Sequence, residues 1–308
     1  MRILVIGAGA VGGYYGGRLA EKGEDVTFLV RKRRKEQLDR HGLVIKSVNG
    51  DARLKVQTLL AGQDAPSFDL ILLSVKAYHL EQTLCDLAPY VGEKTAILPL
   101  LNGIRHIDIL QSHFGSDKIL GGLCFIESTL NAQGEVEQYS QVHDLVFGEL
   151  DGEVSNRAKA IAALFEHAKC HARLSEQISV EMWKKYIFIS AMSGMTCLMN
   201  SSIGPIFESP YGKETYRGLL DEIISIARHH EPSISPDLSS LILASLESLS
   251  PNMKSSMLRD MEKGEPVETD HFHGALLQLA PKDAELPLLK AVYSALSIYQ
   301  EKQRASRG

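Results

Sequence analysis

Residues 1–13 read MRILVIGAGAVGG, and residues 14–26 continue YYGGRLAEKGEDV. The run RILVI at 2–6 suits a buried strand, and 10–22 suits a helix. Between them Gly7, Gly9 and Gly12 fall in the spacing G-x-G-x-x-G. Alone that spacing says little, but a strand before it and a helix after it give it a mechanism. Gly7 permits a tight turn, Gly9 lets the backbone approach a pyrophosphate, and Gly12 lets helix and strand pack closely. The amides of the first helical residues, Ala10 and Val11, would then face phosphate charge at the positive end of the helix. The competing reading is a tight turn with no ligand; the strand–turn–helix context favours a dinucleotide.

The second strand, DVTFLV at 25–30, addresses which dinucleotide. A site for NAD usually carries Asp or Glu near that strand's end, to bind the ribose 2′-hydroxyl. Here the strand runs into Arg31, Lys32, Arg33, Arg34 and Lys35. Cations stand where a 2′-phosphate would sit, and Arg–phosphate contacts are strong and directional. Part of such a run is ordinarily solvated helix surface. Arg31 comes first after the strand and is the expected phosphate ligand, so NADPH/NADP is the expected cofactor.

Farther along, 69–75 (DLILLSV) and 96–101 (AILPLL) read as buried strands with a helix over 80–90 between them. Asn49-Gly50 sits between two alternating stretches within 43–57, a strong hairpin signal. The alternation of strands and helices predicts an α/β fold, an N-terminal Rossmann-type doubly wound sheet. Several β-like runs over 120–150 predict antiparallel strands that extend this sheet, and 155–168 predicts a helix. Beyond about 175 strands disappear: 181–200, 214–230, 238–249, 255–263, 268–279 and 286–300 all have helical character, punctuated by prolines. The expected division is a dinucleotide-binding domain at 1–170 and an all-helical C-terminal domain at 171–308, with a frayed tail at 301–308.

With 308 residues, two domains are natural. A net charge of −5 gives no global pull toward nucleic acid or an anionic membrane. Cys85, Cys124, Cys170 and Cys197 show no metal-ligand spacing and read as buried free thiols. The N-terminus lacks the pattern of a signal peptide, and no stretch has the roughly 18 uninterrupted apolar residues of a membrane span. A soluble, cytoplasmic protein is expected.

Candidate reactive residues stand at strand ends and in the helical half. In an open parallel sheet ligands lie beyond the carboxyl ends of the strands; Lys76 and Asn102 occupy such positions. Reduction of a ketone leaves an alkoxide that needs a proton, which a lysine can supply. In VEMWKKYIFISAMSGM (180–195), Lys184 and Lys185 are embedded in an apolar helix. One of them must reach a polar cleft or snorkel outward, and periodicity does not choose. Ser256 reads as a helix cap and Glu268 as a favourable charge in a first helical turn. His271 and His273 are too closely spaced to share a helix face and make a poor metal pair, so no metal is expected. His229-His230 reads as a polar helix end.

Taken in order, GAGAVG at 7–12, Arg31, SVKA with Lys76, LLNG with Asn102, EMWKKY, and SSMLRDMEKGEPVETD at 255–270 resemble the ketopantoate reductases (2-dehydropantoate 2-reductases) along almost the whole chain. The resemblance implies NADPH-dependent reduction of 2-dehydropantoate to pantoate, a step toward pantothenate and coenzyme A. It also implies that Lys185, two residues after Trp183, is the general acid. Glu268 would bind the hydroxyl end of the substrate, orient the lysine and meet the cofactor. Ser256 and Asn200 would contact substrate, while Lys76 and Asn102 line the cofactor–substrate cleft.

The chain departs from the family at Ile189 and Ser193, where asparagines that hold the substrate are found, and at His273-Gly274, where the family has Asn-Gly. Another branched or aromatic 2-keto acid, as in D-2-hydroxyacid dehydrogenases, is therefore an alternative substrate. A non-catalytic NADPH sensor is the alternative function. The expected partner is a small 2-keto acid, with a homodimer through the apolar helical half.

Overall fold

A computed structural model describes residues 1–307. It divides into two compact units, Met1–Met182 and a second that begins at Trp183.

The first unit opens with β1 (Arg2–Ile6), α1 (Ala10–Lys22), β2 (Asp25–Leu29) and α2 (Lys32–His41). A hairpin follows, β3 (Leu43–Ser47) and β4 (Ala52–Leu54), then β5 (Gln57–Leu59) and β6 (Phe68–Leu73). Next come α3 (Leu80–Leu87), β7 (Val91–Pro99) and α4 (Arg105–Phe114). The strands β5-β2-β1-β6-β7 form one sheet in that order, and every neighbouring pair is parallel. From β1 the chain builds outward to β2 and β5, then returns to lay β6 and β7 on the opposite side. That reversal is the switch point at which such sheets bind ligands. The expected Rossmann-type α/β fold is present.

Side-chain alternation explains why the sheet is buried on both faces. Ile3, Val5, Leu70 and Leu72 point into one core, which includes Tyr14, Tyr15 and Leu19 of α1. Leu4, Ile6, Ile71 and Leu73 point into the other, which includes Leu84 and Leu87 of α3 and Leu110 of α4.

The runs over 120–150 do form antiparallel strands, β8 (Gly121–Leu130) and β9 (Val136–Gly148). They do not extend the parallel sheet. With the hairpin and β10 (His171–Leu174) they build a second sheet in the order β10-β9-β3-β4, with β8 on β9; a single bridge, Ile97 to Ile119, links the chain between β7 and β8 to the first. The reason is α1, whose sequence GGYYGG lets both sheets close upon it. A Cβ on Gly16 would strike Val5 and Phe28, and one on Gly17 would strike Leu43 and Ile45. The Asn49-Gly50 turn joins β3 to β4 as expected, with antiparallel pairing and Gly50 at φ 105°. Between β9 and β10 lies α5 (Asn156–Phe165), whose cap is Ser155 Oγ accepting from the Ala158 amide.

Helix α6 (Ile178–Leu198) starts in the first unit, with Ile178 and Met182 in its core, and continues into the second. The second unit then contains α7 (Ile203–Glu208), α8 (Gly212–His230), α9 (Leu238–Glu247) and α10 (Ser256–Glu262). A π-helical turn at Asp270–Gly274 leads into α11 (Ala275–Leu279), and α12 (Pro287–Arg307) completes it. Helix α7 had no sequence signal long enough to read. Pro287 opens α12 where a missing amide costs nothing, and the Glu222 carboxylate on α8 accepts from the amides of Leu288 and Leu289 at 3.0 and 2.8 Å. No described helix is long and apolar enough to cross a membrane.

Three cysteines are buried, but Cys85 is exposed. It lies on α3, where Leu80, Thr83, Leu84 and Leu87 form the inward stripe; position 85 falls on the outer face. Among the described residues no group of three or more His, Cys, Asp or Glu side chains is arranged to hold a metal.

Candidate active site

In the first unit, the expected cofactor residues lie along the carboxyl edge of the parallel sheet. The glycine loop follows β1, Arg31 follows β2, Lys76 follows β6 and Asn102 follows β7. Their order along the edge is that of the strands, so residues as far apart in sequence as Gly7 and Asn102 share one rim. Arg31 Nη2 lies 3.4 Å from His79 Nδ1, in the short turn that Lys76 opens. Burial first, and then the Arg31 cation, pull the His79 pKa below the ordinary histidine value. Lys76 and Arg31 are exposed and Asn102 is half-buried.

The three glycines have different reasons to be glycine. Gly7 has φ 89°, in the left-handed region, and a Cβ there would come closer than 3.0 Å to the Ser74 carbonyl. Gly12 would drive a Cβ onto the Gly7 carbonyl. Gly9 has neither constraint: its φ is −84° and a Cβ would meet nothing within 4 Å. The chain itself does not require glycine at 9, which fits a ligand approaching that backbone. The first rung of α1 runs from the Gly13 amide to the Gly9 carbonyl at 2.9 Å. The amides of Ala10, Val11 and Gly12 precede it and belong to the positive end of the helix.

The basic run divides by role. Arg34 is structural: its Nε donates to Ala8 O at 3.0 Å and its Nη1 to Gly134 O at 2.6 Å. It ties the glycine loop to the turn between β8 and β9. Lys35 donates to Thr58 and Asp39. Arg31, Lys32 and Arg33 remain exposed. A cavity of about 800 Å³ beside α2 has Arg31, Arg33, Arg40 and Arg53 on its walls, and neither Lys76 nor Asn102. It lies between α2, the β3–β4 hairpin and the turn between β8 and β9, with Glu36 and Glu135 also on its walls.

In the second unit, α6 separates the two lysines that periodicity left equal. Lys184 is exposed and Lys185 half-buried, between buried Trp183 and Tyr186. Glu268, half-buried, stands two residues before the π turn, and its carbonyl accepts from the Phe272 amide at 3.0 Å. Tyr186 Oη donates to Phe272 O at 2.5 Å, so the turn whose Phe272 amide binds the Glu268 carbonyl is joined to α6 at the residue next to Lys185. Ser256 is not the cap of α10. Ser255 is: its Oγ accepts from the Leu258 amide at 3.0 Å and lies 2.7 Å from Thr196 Oγ1. Ser256, the first helical residue, is exposed.

Asn200 is not brought near Lys185. It sits exposed in the turn after α6, and at 1.5 Å per residue α6 alone separates them by roughly 20 Å. That exceeds the length of a small keto acid. Ile189 is half-buried and Ser193 buried on the intervening turns.

Two features escaped the sequence. His230 stacks on Trp183, with ring centres 5.7 Å apart, and bonds to Leu279 O. His273 is wholly buried, its Nε2–H donating to Ser190 O at 3.0 Å. Burial pulls its pKa down to about 4, against the weaker opposing effect of that hydrogen bond. Because an unfolded chain protonates this histidine near 6.5, the unfolded state binds more protons between about 6.5 and 4. Stability is therefore complete above that window and falls as pH drops through it, by about 3 kcal/mol for this group. Thermal unfolding of His273→Gln should lose less between pH 7 and 4.5 than the parent; an equal decline would assign the titration to other groups.

Fold and site together define an oxidoreductase with a Rossmann-type nucleotide-binding unit and a helical unit carrying a lysine and a glutamate. Residues 3–152 match the family described as ketopantoate reductase PanE/ApbA, and residues 177–300 match its C-terminal domain. The chain belongs to the ketopantoate reductase family. It is 42% identical to the uncharacterized oxidoreductase YkpB of Bacillus subtilis, over 97% of this chain and 99% of that one. It is 28% identical to the 2-dehydropantoate 2-reductase of Archaeoglobus fulgidus, over 90% of each chain. The crystal structure of 2-dehydropantoate 2-reductase from Geobacter metallireducens superposes with a TM-score of 0.89 at 28% identity, covering 97% of this chain and 99% of that one. D-mandelate dehydrogenase shares the fold, with a TM-score of 0.87 at 20% identity, covering 99% of this chain and all of the other.

Proposed function

We propose that this protein reduces 2-dehydropantoate to pantoate with NADPH, with Lys185 as the proton donor. The observation that carries the proposal is the placement of Lys185: half-buried, next to Tyr186, whose hydroxyl bonds to Phe272 of the turn that follows Glu268. The glycine loop, Arg31, Lys76 and Asn102 would hold the dinucleotide, and bound NADPH supplies the hydride that adds to the keto carbon. Lys185 Nζ gives a proton to the former carbonyl oxygen as charge develops there, yielding the hydroxyl. Glu268 orients the ammonium and accepts from the substrate's hydroxyl end, and Ser256 contacts the substrate.

NADPH is preferred because β2 ends without a carboxylate and Arg31 is exposed at the start of α2. Arg31→Ala should weaken NADPH by about tenfold or more, the value of one charged hydrogen bond, and change NADH little. Titration of both cofactors by fluorescence checks this; equal losses would make Arg31 ordinary surface. The same reading takes the enzyme to be cytoplasmic and a homodimer.

A second substrate reading rests on Ile189, apolar and half-buried one turn beyond Lys185. An apolar surface there suits a bulkier branched or aromatic 2-keto acid. Steady-state kinetics across a panel of 2-keto acids decides between the two. A preference of roughly a thousandfold for another acid exceeds what a methylene can supply and would displace 2-dehydropantoate.

A further inference from the structure

Helix α6 and the π turn at Asp270–Gly274 are joined by hydrogen bonds that run in opposite directions. Tyr186 Oη on α6 donates to Phe272 O on the turn, at 2.5 Å, and also lies 3.4 Å from His271 O. His273 Nε2–H on the turn donates back to Ser190 O on α6, at 3.0 Å. Tyr186 and Ser190 are four apart and share one face of the helix, while Phe272 and His273 are adjacent. Tyr186 is 1% exposed, and Ser190 and His273 are fully buried, so water does not compete for these bonds.

The surroundings are shaped to admit this exchange. A π turn is one residue wider than an α turn, is rare, and is frequently found at functional sites. Gly194 leaves room for the imidazole: a Cβ there would approach His273 Nε2 to 3.2 Å. The Tyr186 and Phe272 rings meet edge to face at 6.2 Å.

Apolar packing holds α6 in place, as Ile187, Ala191 and Met195 are fully buried, but it is less directional than hydrogen bonds, which need set donor and acceptor positions. Two opposed bonds, one helical turn apart, add a directional restraint on both rotation and translation. Rotation matters here because successive helical residues are about 100° apart: one residue of slippage would put Lys184 where Lys185 stands. Lys184 is exposed and Lys185 half-buried.

We propose that Tyr186 and His273 form a reciprocal clamp that sets the register of α6 against the π turn, so that Lys185 rather than Lys184 is presented beside the turn led by Glu268. Both are positioning residues. The clamp rests on the reading of Lys185 as the proton donor for its effect on turnover, but its effect on lysine presentation does not.

Two readouts on the full-length protein test the clamp. The first is steady-state reduction of 2-dehydropantoate by Tyr186→Phe, His273→Ala and His273→Gln. A misplacement of an ångström or less can cost up to about a hundredfold. Tyr186→Phe and His273→Ala should each lower kcat roughly tenfold or more, with KM for NADPH within about twofold. His273→Gln, which keeps a donor at a similar reach, should recover kcat to within about threefold.

The second readout needs no substrate. Trace acetylation with acetic anhydride, read by peptide mass spectrometry, gives the labelling of Lys185 relative to Lys184. That ratio should be low in the parent and His273→Gln and should rise several-fold in Tyr186→Phe and His273→Ala. A shift in labelling with no keto-acid turnover by the parent would uphold the clamp and overturn the proposed reaction. Unchanged labelling and kcat in Tyr186→Phe would overturn the clamp, as would His273→Gln behaving like His273→Ala. Should His273→Ala fail to fold, Tyr186→Phe and His273→Gln decide alone.

Discussion

Lys185→Ala should lower the rate of 2-keto acid reduction by about 10²- to 10⁴-fold, the range that a positioned general acid contributes, and leave NADPH affinity within about twofold. The basis is local. Lys185 is half-buried on an otherwise apolar helix, flanked by Trp183 and Tyr186, which are 8% and 1% exposed. A lysine held there loses the freedom it would have in solvent, and its ammonium must be turned toward polar surroundings. Lys184, on the adjacent and exposed face, serves as the internal control: Lys184→Ala should change turnover by less than about twofold. Loss of activity in Lys184→Ala with retention in Lys185→Ala would reverse the assignment. Unchanged NADPH binding in an inactive Lys185→Ala separates a proton donor from a residue needed for the cofactor. A parent that binds NADPH but reduces no keto acid would instead favour a cofactor-binding protein without catalysis.

The second large effect separates two glycines three residues apart. Gly12→Ala should destabilise the fold by about 1–3 kcal/mol or more, because the new methyl meets the Gly7 carbonyl, and backbone cannot move aside as a side chain can. Gly9→Ser should do the opposite. Position 9 caps α1 without any side-chain bond, its φ is −84°, and its Cβ direction is open. Serine is a preferred N-cap and would satisfy one of the first amides of the helix, so stability should hold or rise slightly. Those same amides are the ones proposed to meet the pyrophosphate, and the side chain would intrude on its approach. NADPH affinity should therefore fall about tenfold or more, at least 1.4 kcal/mol. Thermal unfolding with and without NADPH reads both effects. Full retention of NADPH binding in Gly9→Ser would remove the pyrophosphate from that position, and an equal loss of stability in both variants would show that Gly9 serves the turn alone.

These two experiments bear on parts of the molecule that differ in how far they could be read from the chain. The glycine loop was legible because its constraints are local. A strand, three glycines at fixed spacing and a helix are contiguous, and the turn needs nothing from elsewhere to be recognised. The hairpin at Asn49-Gly50 was legible for the same reason. The antiparallel strands over 120–150 were legible as strands, but their membership of a second sheet was not. That depended on α1 being narrow enough, at Gly13, Gly16 and Gly17, to lie between two sheets, and a strand pairing such as Ile45 with Val136 leaves no short-range trace.

The helical half shows the limit more sharply. Its apolar periodicity predicted helices at nearly the right places, yet an apolar helix with two adjacent lysines looks the same whichever one turns inward. Resemblance to the ketopantoate reductases favours Lys185, and in the structure the two differ in that Lys185 is half-buried and Lys184 exposed. The cap of α10 illustrates the same point: Ser255 and Ser256 are chemically identical, and only the backbone path assigns the cap to Ser255.

By itself, then, the sequence determined the Rossmann-type loop, the cationic end of the second strand and the helical character of the second half, since each rests on neighbours within a few turns. Tertiary structure decided the rest. It committed Arg34 to the Ala8 and Gly134 carbonyls and left Arg31 exposed, it left Lys185 half-buried and Lys184 exposed, and it buried His273 against Ser190. Each of these outcomes depends on which groups from distant segments exclude water from a given atom, and burial of that kind is a property of packing rather than of spacing along the chain.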